Sequence, residues 1–265
     1  MFTDDSENPP TPPPGFVSLV GAGPGAADLI TLRGLKAIRA ADVLLYDALV
    51  APELVAEANP AALKIAVGKR GYCVGSTKQE HINDLLVEHA RRGRKVCRLK
   101  GGDPCIFGRG GEEAEVLVAA GVPFEFVPGV TAALGAAASA RIPLTHREVG
   151  QSVTFATGHH DPDSPDCKLD FDALAKMTTV VFYMAVRHVE KIAARLVQAG
   201  RVGSTPVAIV TEATTPRERV LVATLDDVAA LMAEAGLQSP ALVVVGEVVA
   251  YRELFSHLTA AEVSR

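Results

Sequence analysis

The residues best suited to chemistry stand in one run: Lys100-Gly101-Gly102-Asp103-Pro104-Cys105-Ile106-Phe107-Gly108-Arg109-Gly110-Gly111-Glu112-Glu113. It holds five glycines in fourteen positions, directly after a predicted strand. Glycine admits positive φ and lets backbone approach a ligand closely. Asp103 beside the glycines can accept hydrogen bonds from ribose hydroxyls or an amine. Glu112 and Glu113 fall in the first turn of a predicted helix, where the helix dipole favours acids. A run this dense in glycine is read as a ligand-binding loop.

A second glycine run, Gly21-Ala22-Gly23-Pro24-Gly25-Ala26, loosely fits the dinucleotide fingerprint, with Asp47 at the end of the next strand where a ribose-binding acid would stand. That makes a nicotinamide-dependent oxidoreductase the rival reading. The fingerprint works by opening a helix directly from the glycines onto a pyrophosphate. Here Pro24-Gly25 bends the chain and the helical pattern starts only near Thr31, so the phosphate cradle is expected to be missing.

The formal net charge of −5 argues against a general nucleic-acid binder. It leaves room for a small anionic substrate, which needs only local positive charge. The densest cationic stretch runs from Arg91 to Arg109, and Arg91 to Lys95 within it reads as a solvated helix end. Lys69, Arg70, Arg109, His146 and Arg147 fall in loops at predicted strand ends. His159, His160, Asp161, Asp163 and Cys167 lack i, i+4 spacing and are interrupted by prolines, so they read as a solvated loop and no metal is implied. The four cysteines form no C-x-x-C pair and suggest reduced thiols in a cytoplasmic protein. No apolar stretch is long enough to span a bilayer and no signal peptide is evident, so no membrane partner is expected.

The elements that position these residues alternate. Residues 1–14 are acidic and proline-rich and read as a disordered tail. FVSLVG, DVLLYD, LKIAVG, KVCRLK and PFEFV read as strands. Between them lie a helix capped by Thr31, an amphipathic helix stopped by Gly93, and a helix stopped by Gly121. The small-residue run VTAALGAAASA reads as a tightly packed helix. QSVTFATG, TTVVFYMA, TPVAIVTEA, the hairpin-like RVLVATL and ALVVVGEVV follow as strands, with helices over 186–199 and LDDVAALMAEAG. Hydrophobic residues make up 48% of the chain, enough for a large core, and Val-, Leu- and Ile-rich strands suit layered α/β packing. Two α/β domains are expected, over 15–128 and 129–258, with a tail from 259 to 265.

GAGPG, YDALV, GKRG, RLKGGDPCIFGRGGEE, VPGVTAA, IPLTHRE, TGH, YMA and PALVVVGEVV occur in an order that resembles the uroporphyrinogen-III C-methyltransferase group of the tetrapyrrole methylase family. The likeness runs from about Val17 to about Phe255. It implies two α/β domains of the class III methyltransferase type, with S-adenosyl-L-methionine in the cleft between them, S-adenosyl-L-homocysteine as its product, and a homodimer. Matching family motifs onto this chain implies cofactor contacts at Pro24, Gly101, Gly102, Asp103, Ile106, Thr131, Ala132, Met184, Ala213 and Ala241.

The resemblance also implies catalytic roles for Asp47, Lys69 and Arg109, and substrate contacts at Arg109, Glu112, Arg147 and Met184. By pKa, Asp47 is the simplest base, whereas a guanidinium hardly ever loses its proton and Arg109 suits a carboxylate anchor better. The implied activity adds two methyl groups to uroporphyrinogen III, giving precorrin-2 by way of precorrin-1 for cobalamin, sirohaem or d-type haem. Cys105 departs from the family pattern, where Phe is usual. The pattern begins near residue 16, so no attached dehydrogenase or chelatase domain is expected. GKR and THRE disfavour a later corrin-ring methylase, and the negative charge disfavours an RNA substrate.

Overall fold

The computed structural model describes residues 15–68 and 78–256. Lys69, Arg70, Cys73 and the two expected tails lie outside the described residues.

Five strands, β1 (Phe16–Gly21), β2 (Val43–Tyr46), β3 (Leu63–Ala66), β4 (Lys95–Lys100) and β5 (Phe124–Val127), form a parallel sheet in the order β3-β2-β4-β1-β5. Side chains alternate across such a sheet, so each strand feeds two cores. Val17, Leu19, Val43, Leu45 and Val96 pack under α3 (Gln79–Arg91) and α4 (Gly110–Ala119). Val20, Leu44, Cys97 and Leu99 pack on the other face under α1 (Leu32–Ala40) and α2 (Pro52–Ala56). By the same alternation Arg98 and Lys100 share the Val96 face.

The turn after β1 behaves as its proline predicts. A short 3-10 turn occupies Ala27–Leu29, and α1 opens only at Leu32. Thr31 caps it, its Oγ1 accepting a hydrogen bond from Gly34 N at 3.1 Å. No helix N-terminus points directly from these glycines, so the dinucleotide cradle is absent.

Five more strands, β6 (Val153–Thr157), β7 (Thr179–Tyr183), β8 (Pro206–Thr211), β9 (Arg219–Thr224) and β10 (Ala241–Val245), build a second sheet in the order β6-β7-β10-β8-β9. Only the β6–β7 pair is parallel; the other pairings are antiparallel. One face packs Phe182, Ile209 and Val243 under α6 (Phe171–Lys176), α7 (Val189–Gln198) and α8 (Val228–Glu234). The other packs Val181, Val210 and Val244 against α5 (Ala132–Ser139) and Val248–Val249. Ala133 and Ala136 let α5 sit close to the sheet. The chain closes with α9 (Tyr251–Ser256) among the described residues. No described helix is long and apolar enough to cross a membrane.

Candidate active site

The carboxyl ends of parallel strands are where open α/β sheets place ligands, and here the loops after β1, β4 and β5 meet. Gly23 and Gly102 exchange backbone hydrogen bonds, Gly23 N to Gly102 O at 3.2 Å and Gly102 N to Gly23 O at 2.7 Å. A Cβ at Gly21 would stand 2.6 Å from Gly102 O and 2.6 Å from Gly129 N. Three backbones therefore meet at Gly21, Gly102 and Gly129: a Cβ at Gly21 or Gly129 would collide with main chain, and Gly102 sits at a φ of 69° that favours glycine. Asp103 locks this junction. Its Oδ2 accepts from Gly129 N at 2.9 Å and its Oδ1 from Cys105 N at 2.8 Å. The carboxylate thus shapes the loop, with lone pairs remaining for a ligand. Beside it Gly101 is open: a Cβ there would meet only Leu49, at 3.5 Å.

The second sheet contributes the facing wall. The Pro24 ring fills the place where a Gly135 side chain would stand, 2.5 Å from Cγ to that Cβ position. Ala26 N donates to Thr214 Oγ1 at 2.9 Å, and a Cβ at Gly25 would lie 2.7 Å from Ala213 O. At the end of β7, Tyr183 OH meets Thr131 Oγ1 at 2.7 Å and accepts from Ala133 N at 3.1 Å. Burial raises the Tyr183 pKa, while the Thr131 and Ala133 bonds act against it. Phe107 packs on the Tyr183 ring with centroids 4.9 Å apart, and Ile106 packs against the same core. Ala241 begins β10 opposite Thr211, at the same edge of the sheet.

Backbone strain gathers here. Among the described residues six non-glycine positions have left-handed φ, and five of them are Phe107, Arg109, Met184, Glu212 and Thr214. All five belong to the loops just described. Such conformations each cost on the order of 1–3 kcal/mol and persist where surrounding structure enforces them. Met184 and Phe107 are also exposed, leaving apolar side chains at the mouth of the cleft.

Charge lies beneath the floor. Asp47, following β2, receives Arg98 Nη2 on Oδ1 at 2.6 Å. Arg98 Nε reaches Glu113 Oε1 at 3.1 Å, and Lys100 Nζ reaches the same oxygen at 2.8 Å. Gln79 Nε2 donates to it as well, at 3.2 Å. Arg98, Lys100 and Glu113 are buried, Glu113 completely. Burial works against the Arg98 charge, but the Asp47 and Glu113 carboxylates outweigh it and raise the Arg98 pKa. Lys100 goes the other way: burial and the Arg98 charge lower its pKa against the pull of Glu113.

The sequence profile of the family Tetrapyrrole (Corrin/Porphyrin) Methylases matches residues 17–229. The chain belongs to the tetrapyrrole methylases. A uroporphyrin-III C-methyl transferase from Thermus thermophilus, solved with S-adenyl homocysteine, shares 40% identity; the match covers 89% of this chain and 100% of that one, with a TM-score of 0.77. A cobalt precorrin-4 methyltransferase is similar at 31% identity and TM-score 0.78, over 88% of this chain and 95% of its own. A siroheme synthase from Actinobacillus succinogenes is 50% identical over 236 residues, 89% of this chain and 48% of that protein. One from Chromobacterium violaceum is 52% identical over 236 residues, again 89% of this chain and 50% of its own length. The chain spans about half the length of these siroheme synthases.

In this tetrapyrrole methylase Pro24, Gly102, Asp103, Ile106, Thr131, Ala132 and Ala213 lie where the loops of the two sheets meet, Gly101 stands beside Leu49, and Met184 and Ala241 stand at the ends of β7 and β10; Asp47 follows β2 on the first-sheet side. Arg109 caps α4, its Nε 3.1 Å from Glu112 Oε1, and both side chains are more than half exposed. Arg147 is not brought in. It sits in the turn that His146 and Gly150 close by exchanging hydrogen bonds at 2.7 and 2.9 Å. Gly150 abuts Thr179, the first residue of β7, whereas Met184 follows its last. At about 3.3 Å per residue β7 separates Thr179 from Met184 by roughly 13 Å or more, which sets the turn carrying Arg147 apart from Met184 along the strand.

Arg98 and Lys100, counted in sequence with the cations open to an anionic ligand, are buried and neutralised. Sequence reasoning also missed Glu113, because its place in a helix first turn already explained an acid there. The signal was in β4: a cation between Cys97 and Leu99 in a central strand requires a buried acid nearby. Tyr183 and Phe107, which join the two sheets, lay inside quoted motifs but were given no role of their own.

Proposed function

We propose that this chain is an S-adenosyl-L-methionine-dependent uroporphyrinogen-III C-methyltransferase, adding two methyl groups to give precorrin-2 by way of precorrin-1. One observation carries the reading: a junction between two sheets where Gly21 and Gly129 admit no side chain and the loops hold left-handed residues, in a chain 40% identical to a uroporphyrin-III C-methyl transferase.

The residues fit the cofactor. Open backbone at Gly101 admits close approach, Asp103 retains acceptor capacity, and Thr131–Ala132 and Ala213 leave room through small side chains. When bound, the cofactor supplies an activated methyl group on a sulfonium. The protein's task is alignment of the pyrrole carbon with that methyl, and the stiff backbone at Met184 and Phe107 suits it. Arg109 anchors substrate carboxylates. Its surface pair with Glu112 is worth about 0–1 kcal/mol and yields readily to a bidentate carboxylate. Asp47, held by Arg98 Nη2 on its Oδ1 at 2.6 Å, accepts the proton that leaves the macrocycle. Lys69 is assigned an acid or anion-contact role, and Arg147 a substrate contact, on their motifs alone. We further infer a cytoplasmic homodimer that binds neither nucleic acid nor membrane, with sedimentation as the check on its size.

The deciding experiment incubates the protein anaerobically with uroporphyrinogen III and labelled S-adenosylmethionine and weighs the product. A gain of two methyl groups is expected; none overturns the reading. Calorimetry should show S-adenosylhomocysteine binding and none of NAD.

A further inference from the structure

We propose that Arg98, held in place by Glu113, is a positioning residue that fixes the Asp47 carboxylate at the edge of the cleft. The inference rests on the functional reading above and adds to it two residues that touch neither cofactor nor substrate.

The geometry has a direction. Glu113 on α4 is fully buried and takes Arg98 Nε on Oε1, and Arg98 on β4 extends Nη2 to Asp47 Oδ1 after β2. Arg98 has 3% of its side chain exposed, while Asp47 keeps 29%. The chain of contacts runs from a sealed interior to a carboxylate that still meets solvent. A guanidinium can do this because its donors form a rigid planar fork that serves two carboxylates at fixed angles; an ammonium is a point charge on a flexible stem.

Stability alone does not account for the arrangement. Replacing a buried ion cluster by apolar residues of similar volume is often neutral or stabilising, and the surrounding positions Val96, Leu86 and Leu117 show that this layer accepts such residues. The cluster is also unevenly satisfied. Glu113 Oε1 receives Arg98, Lys100 and Gln79, while Oε2 is buried with no partner among the described residues. A carboxylate placed for maximal bonding would use both oxygens. This one is oriented toward Arg98 and Lys100 at the cost of its second oxygen. Glu113 also lies one turn into the helix that opens at Arg109, so one helix sets both the proposed substrate anchor and the aim of Arg98.

The test is a set of double-mutant cycles on methyl transfer to uroporphyrinogen III. Arg98→Lys and Glu113→Gln are made in the wild-type chain and in Asp47→Asn, with turnover measured at saturating substrates and S-adenosylhomocysteine affinity by calorimetry. A positioning role predicts kcat losses of about 30-fold for Arg98→Lys and about 10-fold for Glu113→Gln, with KM and cofactor affinity within about 3-fold, and almost no further loss in the Asp47→Asn background. If Arg98→Lys does not fold, the Glu113→Gln cycle, which keeps size and shape, decides alone. Wild-type kcat in the variant that decides, or losses that multiply fully with that of Asp47→Asn, overturns the relay. Undiminished turnover in Asp47→Asn overturns it too, by removing what it positions. A wild-type chain that methylates nothing overturns the functional reading and the relay together.

Discussion

The two sheets have the same number of strands and are covered by helices on both faces, yet they bury different chemistry. The first encloses Arg98, Lys100 and Glu113, with His89 and Ser18. Among the described residues the second buries no charged side chain, only hydroxyls such as Thr179, Thr205 and Thr211. Its contribution to the cleft is shape: the close-packed α5, the Tyr183 ring, and left-handed backbone at Met184, Glu212 and Thr214. The first half therefore carries the buried charges that hold Asp47, and the second supplies a rigid apolar wall. Interior ions are costly to desolvate and costlier to leave unpaired, so the halves should respond differently to similar substitutions.

The largest expected effect follows. Glu113→Leu leaves Arg98 and Lys100 without their shared acid and should cost about 3–5 kcal/mol in urea denaturation; an unchanged midpoint would erase the contrast. Next, Gly135→Ala drives a methyl into the Pro24 ring where the halves meet. Overpacking of this kind costs about 1–3 kcal/mol, and S-adenosylhomocysteine affinity measured by calorimetry should drop with it.

A third difference is electrostatic. Burial pushes the Cys97 thiol from 9.0 up to about 12, with Arg98 opposing. Below pH 9 the thiol is protonated in both states and its contribution is complete. As pH rises from there toward 12 the unfolded chain releases a proton that the folded chain keeps, so stability falls. Cys97→Ala lacks this loss, and its deficit relative to wild type should shrink between about pH 8 and about pH 11 in parallel denaturation curves. The smallest effect belongs to the second sheet. Thr179 Oγ1 is buried without a partner among the described residues, so Thr179→Val should leave the stability unchanged or raise it by up to about 1 kcal/mol. A clear loss there would mean that the second sheet too depends on buried polarity.

Much of the fold was legible because single residues mark its boundaries. Thr31 caps α1, and Gly93 and Gly121 stop their helices with φ of 75° and 68°. Pro24-Gly25 correctly denied the dinucleotide cradle. The short helices α2 and α6 went unread, since five or six residues do not complete an apolar period. Strand direction in the second sheet was hidden as well: with helices on both faces, TVVFY and ALVVV are apolar throughout and carry no alternation that distinguishes parallel from antiparallel. The cleft was legible through its glycines, whose spacing is a backbone property. The ion cluster was not, because Arg98, Lys100 and Glu113 look like surface charges until the pleat of β4 turns the two cations beneath α4.

The meeting of Gly21, Gly102 and Gly129 bears on how such a protein can change over generations. Three strand ends share this space, so a side chain at Gly21 or Gly129 collides with the neighbouring main chain, and one at Gly102 meets a left-handed φ. A lineage acquiring a new ring to methylate has to leave this knot alone. Innovation is pushed outward to the exposed side chains of Leu49, Phe107 and Met184, where one replacement remodels the mouth without loosening what is tied beneath it.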